Sequence, residues 1–487
     1  MNRCRLLSFL PCHQYKAAVS ENIVDSQPNA VYWSSPRACL IVASAAAIGL
    51  GNVWRLPGIA EAYGGAAFLI VYALALLLMG IPVLVAELVL GRRVRGSVVS
   101  SIGRWVSASG QNRLWKAMGY MALAGSAIVL SYYSVIAGWS VAYTIRAGAG
   151  VLEGLERSGL REQFINLAGD AEKGLGWHTI FLCCTTFVVA MGVREGLEPA
   201  GKVLLTGAFV IVGLLLAAAA ADGDLPGAVA HFTRVDFAAL GWRGAIEAIY
   251  QAFFSLSLGF GVMVAFGAYL QRETSLFGMA MGITVVDTLF TVLVGTAMTA
   301  LLLAGDFPLN SGLQLVFEVL PTALNDSLGG WASTLFFLML ILITLSTAVA
   351  LMELMVVWVI ERWGLSRLAA AMVCAVSVWG LGLGTLLSFN LLADWTWLGR
   401  TMFDWLALVS GRVILPLVGL LICVFMGRFL PAEAIIGGWI GSTDDLRFRV
   451  WRFLLRYPAR IGLILVILNS VGVFEFADWL WGSARAG

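Results

Sequence analysis

The chain holds 487 residues with a formal net charge of only +2, and 60% of them are hydrophobic against 12% charged. A mean hydropathy of +0.88 excludes a soluble globular domain and makes the lipid bilayer the chain's main partner. So small a charge, scattered along loops, also argues against nucleic acid as a partner.

Residues 1–30 are polar and mixed, and are expected to form a flexible cytoplasmic tail. About eleven apolar spans follow, near 38–57, 66–90, 117–145, 177–193, 203–221, 243–270, 276–304, 331–360, 368–389, 403–426 and 459–480. The segment after the second span carries Arg92, Arg93, Arg95, Arg104, Arg113 and Lys116, and the one before the eleventh carries Arg447, Arg449, Arg452, Arg456 and Arg460. The loop after the seventh span has Asp306, Glu318 and Asp326 but no Lys or Arg. The positive-inside rule then predicts a cytoplasmic N-terminus and an outer C-terminus. No pair of the seven cysteines is placed for a disulfide in an outer loop, and His13, His178 and His231 are too far apart in sequence to suggest a metal site.

The first span reads ASAAAIGLGNVWRLP over residues 43–57. Its glycines serve either close helix packing or a helix break that frees backbone polar groups at hydrocarbon depth. Asn52 and Arg55 in the same run favour the break. In the second span Glu87 follows Gly80 and Pro82, and reads as a buried carboxylate that hydrogen-bonds loosened backbone nearby. Tyr132 and Tyr133 lie deep in the third span, where a hydroxyl can cap a bound polar group. The outer loop 147–176 reads as a solvated cover.

Ser255, Ser257, Gly259 and Gly261 interrupt the sixth span as the glycines do the first. Five steps separate the two, so the second enters from the opposite side, as an inverted repeat requires. The expected organisation is a first five-helix half over 31–222, an inverted second half over 240–427, and an inner loop with the eleventh span over 428–487. Asp287 in the seventh span and Ser346 and Thr347 in the eighth add oxygen donors; with Asn52 they suggest a hard-cation site.

These residues resemble the neurotransmitter:sodium symporters, in particular their eleven-span bacterial amino-acid transporters. The resemblance rests on Gly49-Leu50-Gly51-Asn52-Val53-Trp54-Arg55-Leu56-Pro57, Gly64-Gly65-Ala66-Ala67-Phe68, Gly80-Ile81-Pro82 with Glu87, and Ser257-Leu258-Gly259-Phe260-Gly261. It implies an all-α, LeuT-type inverted five-helix repeat with helices 1 and 6 broken, a fold that general accounts of secondary transporters use as their own example. It also implies a bacterial inner-membrane location, no enzymatic activity, and a monomer or weak dimer.

By the same resemblance two Na+ are expected. One would be held by Ala47, Asn52, Ser255, Asp287 and the substrate carboxylate, the other by Ala45, Ile48, Ile343, Ser346 and Thr347. The substrate would touch Ala46, Ala47, Gly49, Leu50 and Gly51 along the first break, with Tyr133 on its carboxylate. Val129, Phe254, Ser255, Ser257, Phe260, Thr347 and Leu351 would complete its pocket. Gly49 stands where monoamine carriers place an aspartate, which implies an α-amino acid. Chloride-dependent relatives hold the anion among residues matching Tyr72, Gln251, Ser255 and Thr291; with Asp287 present, no chloride requirement is expected.

Three positions depart from the family pattern. Ala407 replaces the outer-gate aspartate that would pair with Arg55, and Asp404 lies one turn earlier, so either the gate relies on water and Asp404 or coupling is altered. Ala30 replaces the inner-gate arginine, although Trp33 and Glu361 match, and Thr206 replaces a helix-loosening proline. The expectation is therefore a Na+-coupled symporter importing a neutral, apolar α-amino acid by alternating access. The alternative is a non-transporting sensor or binding protein with degenerate gates.

Overall fold

The computed structural model describes residues 32–309, 312–436 and 445–474, so the expected tail over 1–30, Ala30 and the end of the eleventh span lie outside the described residues. The first crossing is α1 (Pro36–Ala47), α2 (Leu50–Trp54) and α3 (Leu56–Ala62) in series. It is followed by α4 (Ala66–Val94), α5 (Val98–Ala108), α6 (Arg113–Gly148), α7 (Arg157–Ala168), α8 (Ala171–Ala190), α9 (Val193–Asp222) and α10 (Leu225–Thr233). The sixth crossing is α11 (Phe237–Ser255) and α12 (Val262–Ala268). Then come α13 (Leu276–Ala304), α14 (Leu320–Leu328), α15 (Gly330–Trp363), α16 (Arg367–Leu387), α17 (Met402–Phe429), α18 (Ala432–Ile436), α19 (Leu446–Arg456) and α20 (Pro458–Ser470).

Nine helical stretches among the described residues are long and apolar enough to cross a membrane, the last being α19 and α20 in continuity. The two remaining crossings, the first and the sixth, are not among these nine, and each is broken near its middle. Lipid cannot satisfy a broken helix, so both must sit inside a protein shell. They do: Ala43 to Leu50 and Leu256 to Phe266 are all buried. α12 packs along α4, α11 along the first half of α4, and α1 against α9, α13 and α15, while α15 packs along α6 through the middle of the bundle.

Capping residues set the helix starts. Ser35 accepts from Ala38 N at 3.2 Å ahead of Pro36, and Asp236 accepts from Ala239 N at 2.9 Å at the head of α11. Within α9 the stretch Glu198–Asp222 runs as continuous α-helix through Thr206, its one proline, Pro199, being confined to the first turn.

The outer connections differ from the sequence reading. The loop 147–176 holds α7, whose Leu160 and Leu167 are buried, so it is a packed cap and not only a solvated cover. The loop after α13 also folds into helix: Phe317 there stacks on Phe164 of α7, with centroids 5.1 Å apart and planes at 6°. Both segments mix polar residues with apolar ones at helical spacing, and burial of that apolar stripe outweighs their charge.

Candidate functional site

The first break starts at Ile48, whose backbone is extended, and Gly49 continues in the extended region at φ −141°. Two side chains take up the freed amides: Gly49 N donates to Asn52 Oδ1 at 3.0 Å, and Leu50 N donates to Tyr133 Oη at 3.4 Å. Close approach explains the glycines. A Cβ on Gly49 would lie 3.1 Å from Tyr133 Oη and 3.3 Å from Thr347 Oγ1, and one on Gly51 would lie 3.3 Å from the Phe254 ring.

The second break turns through the left-handed region at Ser257, Gly259 and Gly261, with φ of 52°, 78° and 81°. Its backbone is held from the first half of the chain. Gly259 N donates to Glu87 at 2.7 Å, the contact that the sequence reading anticipates for this acid, and Ser126 donates to Phe260 O at 2.8 Å. Ser257 Oγ donates to Ala46 O at 3.2 Å and so joins the two breaks directly.

Asp287 lies at this junction with no exposure. Asn52 Nδ2 donates to it at 2.8 Å and to Thr291 Oγ1 at 2.6 Å, and the Ser255 hydroxyl makes a short contact with its other oxygen. All three expected side-chain ligands of a first Na+ therefore converge, and Ala47, the expected carbonyl ligand, is buried. The partners of Asp287 are neutral, and no Lys or Arg pairs with it among the described residues. A buried carboxylate satisfied by hydrogen bonds alone leaves a negative charge uncompensated, and a cation fits that deficit.

A second cluster joins α1 to α15. Ser346 Oγ lies 2.6 Å from Ala45 O and 2.8 Å from Ile343 O, and Thr347 Oγ1 lies 3.0 Å from Ile48 O and 3.2 Å from Ile343 O. All five residues expected at a second Na+ thus meet through oxygen atoms, the donor type that a hard cation selects. Around the breaks Val129, Phe260 and Leu351 are buried and Phe254 is half-buried. The Phe254 ring lies 6.1 Å from Phe260 and 5.7 Å from Tyr250.

One expected gate contact is corrected. Arg55 does not pair with Asp404. It forms a short ion pair with Glu247 of α11, and Arg412 of α17 joins the same carboxylate at 3.3 Å. Both guanidiniums lie 4.9 Å from the Tyr250 ring, which in turn stacks on Phe254. Asp404 instead closes the capping box of α17: Thr401 N and Oγ1 donate to its carboxylate at 3.0 and 2.8 Å. At the opposite end Trp33 is buried, donates to Phe266 O at 3.1 Å and meets Phe266 and Tyr269 edge-on. Glu361 accepts from Ser97 N at 2.8 Å, so Trp33 and Glu361 serve separate contacts.

The sequence reading also passed over several participants. Glu247, Gln251 and Ser255 recur every four residues on one face of α11, a signal that could have found the first of them. Glu353, with no exposure in α15, accepts from Tyr269 Oη at 2.8 Å and pairs closely with Arg367. Glu198 receives Ser34 N at 2.7 Å and so ties the head of α1 to α9. These partners come from elements far apart in the chain, and no local pattern announces them.

Comparison with known proteins agrees with this geometry. The model of the sodium:neurotransmitter symporter family matches residues 31–153 and 165–429. The sodium-dependent transporter YhdH of Bacillus subtilis is 28% identical over 455 residues, which is 93% of this chain and 100% of that protein. A sodium-dependent transporter of Haemophilus influenzae is 27% identical over 449 residues, 90% of this chain and 98% of its own length. The crystal structure of MhsT in complex with L-phenylalanine superposes with a TM-score of 0.82 at 31% identity, covering 90% of this chain and 99% of MhsT. The chain therefore belongs to the sodium:neurotransmitter symporter family, as a multi-pass membrane protein with the LeuT-type fold and a sodium-dependent transporter rather than an enzyme.

Proposed function

We propose that this protein is a symporter that imports a neutral α-amino acid with an apolar side chain, driven by two Na+. The observation that carries the reading is the buried Asp287, joined to Asn52 and Ser255 where the two broken helices meet. MhsT holds L-phenylalanine, and several mammalian relatives carry the name of sodium-dependent neutral amino acid transporters, among them SLC6A17 of Rattus norvegicus at 30% identity over 53% of this chain.

In this reading the substrate carboxylate lies against Gly49, Leu50 and Gly51, and Tyr133 Oη, now 3.4 Å from Leu50 N, turns to donate to it. The carboxylate also completes the shell of the first Na+, so ion and amino acid stabilise each other. Val129, Phe254, Phe260 and Leu351 offer the side chain an apolar surface. Gly49 leaves no acid to pair with an amine that lacks its own carboxylate.

Asp287 also supplies the fixed negative charge that supports chloride independence. It contacts Ser255, which receives Tyr72 Oη at 3.4 Å, and Thr291 donates to its backbone carbonyl at 2.8 Å. A second Na+ among Ala45, Ile48, Ile343, Ser346 and Thr347 would clasp α1 to α15, and its release would free the inner half of the first crossing. The Arg55–Glu247–Arg412 latch and the Trp33 seat would open in turn, one toward each side. The missing aspartate at Ala407 favoured a non-transporting sensor, but Glu247 supplies Arg55 with a carboxylate, which supports transport.

A thermal-shift screen of the twenty amino acids, each with and without Na+, tests the shared ligand. Stabilisation by large apolar amino acids only when Na+ is present is the expected result. Equal stabilisation in K+ would remove the coupling from this account.

A further inference from the structure

At the junction of α17 with α19 and α20 the structure forms a cavity of about 550 Å³ lined by Arg428, Phe429, Arg456, Tyr457 and Arg460. Among the described residues, three of the five that line it are arginines and none is acidic. None of these guanidiniums forms an ion pair with a carboxylate among the described residues. Arg456 Nε donates to Gly427 O at 2.5 Å and an Arg460 terminal nitrogen donates to Cys423 O at 3.0 Å, so backbone carbonyls fix the two where they stand. Arg460 Nε is buried without a hydrogen-bond partner, and Arg428 makes no hydrogen bond to a described residue.

Three like charges around one cavity repel, and the arrangement is stable only if an anion enters it or water screens it. The neighbouring surface decides between those. Phe448, Trp451 and Leu455 of α19 are buried against the protein, and Trp451 donates to Pro82 O at 2.9 Å. Leu446, Val450, Phe453 and Tyr457 lie 65%, 47%, 57% and 55% exposed. Their spacing of four, three and four residues puts them in one stripe of the helix. That stripe ends on Tyr457 at the cavity wall, with the Phe453 and Tyr457 rings 5.1 Å apart. A charged cavity continuous with an exposed apolar stripe, at the mouth of a membrane crossing, has the two-part chemistry of a phospholipid.

We propose that this cavity binds the phosphodiester headgroup of an anionic phospholipid, with the acyl chains lying along Leu446, Val450, Phe453 and Tyr457. Occupancy ties α17 to α19 and α20, the elements whose residues line the cavity. A soluble phosphate shares the headgroup chemistry but gains nothing from the stripe, which separates the two sources.

The test uses the full-length protein in detergent, with native mass spectrometry and thermal shift read in parallel. Phosphatidylglycerol, phosphatidylcholine and inorganic phosphate are the added probes. The expected result is preferential retention of phosphatidylglycerol with a matching rise in melting temperature. Arg428→Gln should lower that retention about fivefold, the worth of one arginine near an anionic surface. Its melting temperature in phosphatidylcholine should stay unchanged, since the Arg428 guanidinium makes no internal hydrogen bond to a described residue. Phe453→Ser should lower phosphatidylglycerol retention without affecting any response to inorganic phosphate. Equal retention of the two lipids, indifference to Arg428→Gln, or stabilisation by inorganic phosphate equal to that by phosphatidylglycerol would each overturn the assignment.

Discussion

Replacing Glu247 with Gln keeps the shape of the outer latch and removes its charge. The Arg55 and Glu247 side chains are 15% and 12% exposed, so their pair is largely shielded from water. A charge-assisted contact of that kind contributes about 2 kcal/mol. Arg412 is 37% exposed and adds about 0.5 kcal/mol after solvent screening. If both contacts exist only when the outer side is closed, their loss shifts the closed population by about 60-fold. The assay is the rate at which a bound radiolabelled amino acid leaves the purified protein in saturating Na+. Glu247→Gln should speed release by up to that factor and depress uptake. Asp404→Asn should instead cost about 1 kcal/mol of stability through its capping box and leave release unchanged. An unchanged release rate in Glu247→Gln, or an equal acceleration in Asp404→Asn, would refute the assignment of the latch.

Other substitutions follow the same geometry. Asp287→Asn keeps the hydrogen-bonding shape at the junction but loses the charge, and should raise the Na+ concentration for half-maximal uptake at least about tenfold, the effect of about 1.4 kcal/mol. Gly49→Ala brings a Cβ to 3.1 Å from Tyr133 Oη and 3.3 Å from Thr347 Oγ1, so substrate binding measured by thermal shift should fall while the Na+ response in the absence of substrate persists. Ser346→Ala removes one hydroxyl of the α1–α15 cluster and should reduce the steepness of uptake against Na+ concentration. Glu87→Ala leaves Gly259 N without its acceptor in a buried place and should cost about 3 kcal/mol, read as a lowered melting temperature with substrate selectivity unchanged.

The breaks were legible because glycine and serine pairs in otherwise apolar runs are a local signal, and backbone freed inside a membrane must find a polar partner. Glu87 was legible for a related reason: a single acid in an apolar helix has few uses besides holding such backbone. The outer latch was not. Arg55 and Glu247 are 192 residues apart, and only the packing of the first crossing against the sixth brings them together. Asp404 attracted the expectation by lying one turn from Ala407, yet Thr401 three residues before it offers a capping box, and that local arrangement prevails. The outer segments were read as loops because charge hides a helical stripe when the surface that buries it comes from a distant element. Phe317 and Phe164 show this, each supplying the other's burial.

The central claim is that Na+ and an amino acid move together through the junction of the two breaks. It is tested most directly by uptake of radiolabelled phenylalanine, or of whichever apolar amino acid the thermal screen selects, into liposomes reconstituted with the protein. The account predicts accumulation above the external concentration when Na+ is high outside and low inside, collapse of that accumulation when the gradient is dissipated, and no effect of replacing chloride with gluconate. Binding without accumulation under an imposed Na+ gradient would contradict it, and would identify the chain as a sensor that kept the site and lost the transport cycle.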